Sequence, residues 1–149
     1  MYFGEYERTI DQKGRLTLPS HLVASGDPDW SRVMVVKSPP PCLLLYDLET
    51  WNAVLGRAAQ TMDDDDGRVF MHRVVADAHP SELDALKRMT IPSPLLAHAR
   101  IDKRATIVGM FNHLELWNPE TWSQYLESLD EVEVPSISEL SRARIREVS

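Results

Sequence analysis

Residues 11–20 read DQKGRLTLPS, and residues 84–93 read DALKRMTIPS. Both stretches place an aspartate four positions before an arginine and end in a proline followed by a serine. A second matching pair follows in the same order, LLLYDLETW at 43–51 and LELWNPETW at 114–122. Because the spacing between the copies is nearly the same for both pairs, we interpret the chain as an internal duplication of a unit about half its length.

Each copy reads as a series of short strands followed by one longer helix. Apolar and polar residues alternate in RLTLP and RMTIP, which predicts a half-buried strand after each DxxxR motif. Apolar residues at helical spacing follow the later strands of each copy. Further strands are predicted at 3–10, 33–36, 42–47, 105–111 and 113–118, and helices at 48–62, 66–78 and 119–129.

The pattern divides the chain into four segments. We predict a first half at 3–62, a linker helix at 63–75, a second half at 76–130 and an acidic C-terminal tail at 131–149. About four short strands per half are too few for a stable free sheet. Two halves can bury each other's strand edges, which favours an α+β fold built on a closed or interleaved β-barrel with flanking helices.

The residues after each proline are expected to begin a short helical turn. HLVAS at 21–25 follows Pro19, and Ser20 is predicted to cap it. Ser93 holds the matching position in the second copy and is given the same capping role. Neither serine has an evident general base beside it, so capping explains both better than nucleophilic catalysis does.

The net charge of −7 by itself disfavours a nucleic-acid partner, because binding phosphates requires local lysine and arginine. The charge is uneven, however. Residues 84–104 carry five cations and two acids, whereas residues 118–149 carry seven acids and three arginines. The longest apolar run, CLLLY at 42–46, is too short to span a bilayer, and no secretory signal is visible. We therefore expect a cytoplasmic protein without a membrane partner.

The DQKGR stretch has the chemistry of a tight turn that displays cations. Asp11 can accept hydrogen bonds from backbone N–H groups just after it, and Gly14 can supply a positive φ. Arg15 offers a planar fork that fits two phosphate oxygens or O6 and N7 of guanine, and Lys13 offers a mobile charge suited to phosphate. In the simpler alternative, Asp11 and Arg15 only pair with each other. A surface pair contributes ~0 to 1 kcal/mol, which hardly explains why the motif occurs twice.

The second copy keeps the aspartate and the arginine of the motif but lacks its glycine. Asp84 and Arg88 match the first copy, but Lys87 stands where the first copy has glycine. A residue other than glycine can adopt left-handed geometry at a cost of ~1 kcal/mol. We predict that Arg88 and Lys87 contact DNA as Arg15 and Lys13 do, and that the two aspartates orient the turns. Arg8 is a weaker candidate for the same face, and the remaining cations of this region are interpreted as solvated or intersubunit charges: Arg100, Lys103 and Arg104.

Other chemistry finds little support in the sequence. Cys42 is the single cysteine and lies in an apolar run, which predicts a buried structural thiol. The histidines lack metal-ligand spacing, and DDDD at 63–66 lacks the alternating pattern of a calcium loop. Trp51, Trp117 and Trp122 are predicted to lie in the core or in a subunit interface. No nucleophile motif or nucleotide-binding loop occurs, so we expect no enzyme, no cofactor and no small-molecule substrate.

Three features together resemble the bacterial MraZ family over about residues 2–129: FGEYERTIDQKGRLTLPS, the paired DxxxR motifs, and CLLLYDLETW with HLELWNPETW. The resemblance implies two fused AbrB-like swapped-hairpin units that form a pseudo-two-fold β-barrel. It also implies a nucleoid-associated transcriptional regulator that binds double-stranded DNA. Such a protein represses the division and cell-wall gene cluster, its own promoter included, as a ring-shaped homo-oligomer on short direct repeats.

An oligomer would reconcile DNA binding with the acidic composition. Each protomer offers one or two small basic tips, and linking many tips can raise apparent affinity by ~10² to 10⁴. The alternative is an oligomeric protein-interaction module of the kind found among AbrB-like antitoxins. Steep salt dependence of DNA binding would favour the regulator, and a salt-insensitive protein complex would favour the module.

Overall fold

The structure is a computed structural model that describes residues 1–148, with side chains described to residue 142. Within these residues the strands are β1 (Glu5–Thr9), β2 (Arg15–Thr17), β3 (Arg32–Ser38), β4 (Cys42–Asp47), β5 (His79–Glu82), β6 (Arg88–Thr90), β7 (Arg104–Gly109) and β8 (Leu114–Trp117). The α-helices are α1 (Leu48–Thr61), α2 (Asp64–Phe70), α3 (Ser93–His98), α4 (Pro119–Ser128) and α5 (Ile137–Val148), and a π-helical segment, Met71–Val75, continues α2. No described helix has the length and hydropathy needed to cross a membrane.

Strands from the two halves interleave. Six strands form an antiparallel sheet in the order β1-β7-β8-β4-β3-β5, and the remaining two, β2 and β6, pair only with each other. Every strand of the first half therefore pairs with a strand of the second half: β1 with β7, β2 with β6, β3 with β5 and β4 with β8. The α+β class and the interleaving of the halves are confirmed.

The six-stranded sheet is not closed by hydrogen bonds. β1 and β5 lie at its two ends, and no pairing joins them within residues 1–148. The sequence could not reveal this, because alternation predicts a strand but does not give its partners. Closure into a barrel is not shown by the strand pairing.

The β2–β6 pair covers the inner face of the sheet. Leu16 on β2 and Met89 on β6 are paired in register, and both side chains are buried. They belong to the same apolar cluster as the inward residues of the sheet, so one core lies between the two layers. The buried members of this cluster include Leu16, Leu18, Val33, Val35, Leu43, Leu45, Met89, Ile91, Ile107, Leu114 and Leu116.

The helices α1 and α4 pack against the other face of the sheet through aromatic contacts. Trp51 of α1 is buried with its ring 5.8 Å from that of Tyr46. Trp117 is buried and stacks on Tyr125 of α4 at 5.0 Å, and Trp122 packs against Trp117 at 5.1 Å. The predicted core role of Trp51 and Trp117 is confirmed, and Trp122 packs at the edge of the same cluster.

Side-chain caps fix where these helices begin. Asp47 is buried and accepts hydrogen bonds from the backbone N–H and the hydroxyl of Thr50 at 2.8 and 2.7 Å. Asn118 caps α4 by accepting from the N–H groups of Glu120 and Thr121. Asp63 accepts from the N–H of Asp66 at 2.7 Å, so the acidic run begins a helix. Negative charge in a first helical turn is stabilising, which agrees with that position.

The structure decides the predictions made for the residues after the two prolines and for Cys42. The prediction of a helical turn at HLVAS is wrong: the chain makes only a turn at 20–22 and no helix follows. Ser20 therefore has no helix to cap. Ser93 is the first residue of α3, whose N-cap is Pro92 without a side-chain hydrogen bond, so its predicted capping role is also wrong. Pro94, in the first turn of α3, favours the helical φ there instead. Cys42 is buried as predicted, and burial raises the pKa of its thiol to about 12.

Candidate nucleic-acid interface

The first corner, residues 11–15, is held together by one carboxylate. Asp11 Oδ1 accepts the backbone N–H groups of Lys13 and Arg15, both at 2.9 Å, and Oδ2 accepts Nε of Arg15 at 2.7 Å. The Gly14 N–H donates to the Asp11 carbonyl at 3.0 Å and closes the turn. These bonds, with the Arg15 N–H foremost, hold the pKa of the exposed Asp11 carboxyl below its usual value. The carboxylate is therefore the fixed point of the corner.

The second corner, residues 84–88, repeats the first almost atom for atom. Asp84 Oδ1 accepts the N–H groups of Leu86 and Arg88 at 2.9 Å, and Oδ2 accepts Nε of Arg88 at 2.8 Å. The Lys87 N–H donates to the Asp84 carbonyl at 3.0 Å. The pKa of the Asp84 carboxyl is lowered as well, chiefly by the Arg88 N–H. The duplication thus extends to each hydrogen bond of the turn.

The missing glycine does not change the turn. Gly14 has a φ of 76° and Lys87 a φ of 63°, so both lie in the left-handed region. A Cβ on Gly14 would lie 2.8 Å from the carbonyl oxygen of Ile91, which explains why the first corner requires glycine. Lys87 adopts the same backbone at a cost of about 1 kcal/mol. The prediction that a residue other than glycine meets this geometry is confirmed.

The two corners feed a single two-stranded ribbon. In its register Arg15 lies opposite Thr90, and Thr17 lies opposite Arg88. Since side chains alternate along a strand, these four share one face, while Leu16 points into the core. Strand rise and strand spacing place the two arginine Cα atoms about 8 Å apart. We call Arg15, Thr17, Arg88 and Thr90 the outer ribbon face.

The outer ribbon face was only half visible in the sequence. The arginines were predicted as site residues, but Thr17 and Thr90 were missed, although they align in the duplication and alternate with buried residues. The pairing of β2 with β6 could not be read from either copy alone. This pairing brings the two predicted arginine sites, Arg15 and Arg88, onto one surface.

Each arginine is oriented by its aspartate but keeps free donors. The Nε atom of each binds the carboxylate, and the side chains of Arg15 and Arg88 are each 39% exposed. Within the described part of the chain, the terminal Nη1 and Nη2 groups of these two arginines make no hydrogen bond. Internal pairing and ligand binding are therefore compatible, because they use different edges of the guanidinium.

The lysines of the corners differ in exposure. Lys13 is exposed at the crest of the first corner, whereas Lys87 is half-buried. Among residues 1–142, neither has a carboxylate within 4.0 Å. Lys103 lies in the same groove as Lys13, beside the first corner. Lys103, which we interpreted from the sequence as a solvated or intersubunit charge, is therefore a further cation next to the first corner.

Arg8 lies outside the ribbon. It is on β1 of the six-stranded sheet, opposite Ala105, and its Nη1 donates to the carbonyl of Glu7 at 2.9 Å. Its side chain points to the same face of the strand as Tyr6, which packs against the core. Arg100 is exposed with a φ of 58°, and its carbonyl accepts from Asn118.

Comparison with known proteins places this arrangement in a family. A family model described as "MraZ protein, putative antitoxin-like" matches residues 1–71 and again residues 74–144. A protein of Pediococcus pentosaceus named transcriptional regulator MraZ is 33% identical over 132 residues, covering 88% of this chain and 90% of its own length. Proteins of the same name from Cytophaga hutchinsonii and Thermomicrobium roseum are 31% and 30% identical, covering 84% and 93% of this chain and 84% and 96% of their own lengths. The chain contains two copies of the unit that the family model describes, and it therefore belongs to the MraZ family.

Proposed function

We propose that this protein is a transcriptional regulator that binds double-stranded DNA in a sequence-specific manner and acts as a repressor. The observation that supports it most is the pair of oriented arginines on one exposed two-stranded ribbon. The major groove of B-DNA admits a two-stranded β-ribbon, and arginine binds O6 and N7 of guanine in bidentate fashion. The name carried by the relatives agrees with this role and is that of a regulator rather than of an enzyme.

The residues of the interface have distinct roles in this proposal. Arg15 and Arg88 contact guanine edges or phosphates through their free Nη groups, and Thr17 and Thr90 offer hydroxyls that donate and accept. The other members act from the corners or beside them: Lys13 and Lys87 on phosphates, Asp11 and Asp84 as orienting groups, Gly14 as the turn residue, and Arg8 as a peripheral backbone contact. No cofactor or metal is part of the proposal.

The acidic composition determines how such a regulator would work. With a net charge of −7, one protomer neutralises few phosphates and repels DNA elsewhere on its surface. A ring-shaped homo-oligomer presents many ribbons at once, and their avidity raises affinity by ~10² to 10⁴. Ribbons on one side of a ring need direct repeats on one face of the duplex, about one helical turn apart.

The remaining parts of the proposal concern the assembly and its target. The interleaved strands support a pair of AbrB-like swapped-hairpin units with a barrel-like, pseudo-two-fold arrangement. The regulated promoter is that of the division and cell-wall gene cluster, where bound protein occludes RNA polymerase. The protein acts in the cytoplasm, associated with the nucleoid.

The decisive experiment is a gel shift with the duplex immediately upstream of the protein's own gene. Arg15→Ala should abolish the shift, because it removes a guanidinium from the outer ribbon face, while the oligomer keeps its mass in light scattering. Arg57→Ala is the matched control, because Arg57 is exposed on α1, away from the ribbon. Unchanged binding by Arg15→Ala would overturn the proposal.

A second candidate function is an oligomeric protein-interaction module that binds a protein partner as antitoxins do. The description of the matching family as antitoxin-like favours it. DNA binding whose affinity falls steeply with salt supports the regulator, since each neutralised phosphate contributes a slope of about −0.9 in log K against log salt. A protein complex that is insensitive to salt, with no DNA binding, supports the module.

A further inference from the structure

The two corners display different side chains at their crests. Lys13 and Leu86 occupy equivalent positions, because the backbone N–H of each donates to the aspartate Oδ1 of its corner at 2.9 Å. The first crest therefore holds a cation and the second an aliphatic side chain. Leu86 is 65% exposed and belongs to none of the buried clusters of the described residues.

The core does not explain Leu86. Its neighbour Leu83 packs against the main cluster, whereas Leu86 points into solvent beside cations. The second corner carries its lysine one residue later, at Lys87, in a left-handed conformation. An aliphatic side chain is thus held at the tip of a corner with Arg88 and Lys87 at its base, an arrangement that suits a polyanion with an apolar group within reach.

The major groove offers one such group. Among the base edges exposed there, only thymine presents an apolar substituent, its C5-methyl group, and apolar side chains recognise it by contact. We propose that Leu86 is a specificity-determining residue that contacts a thymine methyl group when the second corner enters the major groove. This inference rests on the proposed DNA-binding function and deepens it.

The two corners then have different roles: the first contributes affinity and the second contributes sequence preference. Lys13 adds affinity without sequence preference, because a lysine near phosphates acts as a point charge. Leu86 adds little affinity on DNA without thymine at its position and adds preference where thymine is present. Burying one methyl group against Leu86 corresponds to about a four-fold gain in affinity, and several corners acting together multiply it.

The test uses two versions of one duplex. The region upstream of the protein's own gene is prepared with thymine and, by amplification with dUTP, with uracil, which keeps the pairing but lacks the methyl group. Fluorescence anisotropy should show the full-length protein binding the thymine duplex at least about four-fold tighter. Leu86→Ala should bind both duplexes equally, and Leu86→Met should keep the preference because its side chain is apolar and of similar size.

Lys13→Ala is the matched control at the equivalent position. It should weaken binding to both duplexes by the same factor and leave the thymine preference unchanged. The proposal is overturned if the unmodified protein shows no preference or if Leu86→Ala retains it. It is also overturned if Leu86→Ala changes only the mass of the oligomer, which would make Leu86 a subunit contact.

Failure of the broader function gives a different result. If DNA binding itself is wrong, neither duplex is bound by the unmodified protein, or Arg15→Ala binds as well as the unmodified protein does. If only the Leu86 assignment is wrong, Arg15→Ala loses binding while Leu86→Ala preserves the preference.

Discussion

The first and second corners share their aspartate and arginine and differ at the three positions between them. Their hydrogen bonds agree within about 0.1 Å, both turn through a left-handed residue, and both lead into a three-residue strand of the same ribbon. Gln12, Lys13 and Gly14 in the first corner correspond to Ala85, Leu86 and Lys87 in the second. The carboxylate therefore defines the turn in both corners, whereas glycine is required only in the first.

Substitutions on the buried side of the ribbon, where the two halves are equivalent, should have the greatest consequence. Leu16 and Met89 face each other in register and are 0% and 1% exposed. Leu16→Ala and Met89→Ala should each lower the free energy of unfolding by about 2–5 kcal/mol, through lost burial and the cavity left behind. Urea denaturation followed by tryptophan fluorescence measures this, with Met62→Ala, an exposed methionine, as the control. A loss well below about 2 kcal/mol for either variant would show that its strand is not part of the shared core.

This equivalence was partly predictable from the sequence. The duplication, the alternation in RLT and RMT and the aspartate-centred turn were sufficient to predict both strands and both corners. The pairing of β2 with β6 was not predictable, because three-residue strands acquire their partners from the tertiary fold rather than from local propensity. Thr17 and Thr90 were therefore missed as members of one surface. HLVAS was wrongly predicted as helical. Helix propensity is a weak guide that tertiary packing overrides, and Val23 of this segment is buried in the core.

The next effect separates the corners by their left-handed residues. Gly14→Ala should destabilise the protein by at least about 1–2 kcal/mol, because a φ of 76° is strained for alanine and its Cβ would meet the Ile91 carbonyl. Lys87→Gly should instead stabilise it by about 0.5–1 kcal/mol. Glycine removes the strain of the left-handed conformation, and its greater entropy in the unfolded chain offsets part of that gain. The same denaturation experiment measures both changes. Destabilisation by Lys87→Gly would mean that the lysine side chain supports the fold.

Loss of an orienting carboxylate should weaken DNA binding. Asp11→Ala and Asp84→Ala free the arginines, and the ordering that binding then requires should reduce affinity by about three- to ten-fold each. Anisotropy titrations on the duplex upstream of the gene measure the effect. Binding by either variant that equals that of the unmodified protein would show that the arginine of that corner needs no orientation.

A smaller difference lies in the salt dependence. Lys13→Ala should reduce the slope of log K against log salt by about 0.9 for each contact engaged, and Leu86→Lys should increase it by a similar amount. Titrations at several salt concentrations measure the slopes. If Lys13→Ala leaves the slope unchanged, that lysine does not reach phosphate.

The smallest effect is a dependence on pH shared by both corners. The folded-state pKa values of Asp11 and Asp84 are lowered, so the stability that they contribute is fully present above the unfolded pKa and is lost as the pH falls through the folded pKa. Stability should therefore lose this contribution only below about pH 4. The double variant with Asp11→Asn and Asp84→Asn should lack this part of the acid transition in thermal unfolding scans. An identical acid transition in the variant would contradict the assignment.

If the two corners act as one DNA-binding face, Arg88 is needed as much as Arg15, and Arg88→Ala tests this. Anisotropy on the duplex upstream of the gene should show that Arg88→Ala loses binding as severely as Arg15→Ala does, with Arg57→Ala unaffected and all three oligomers of unchanged mass. Full affinity in Arg88→Ala would contradict a shared face and leave the first corner as the whole interface.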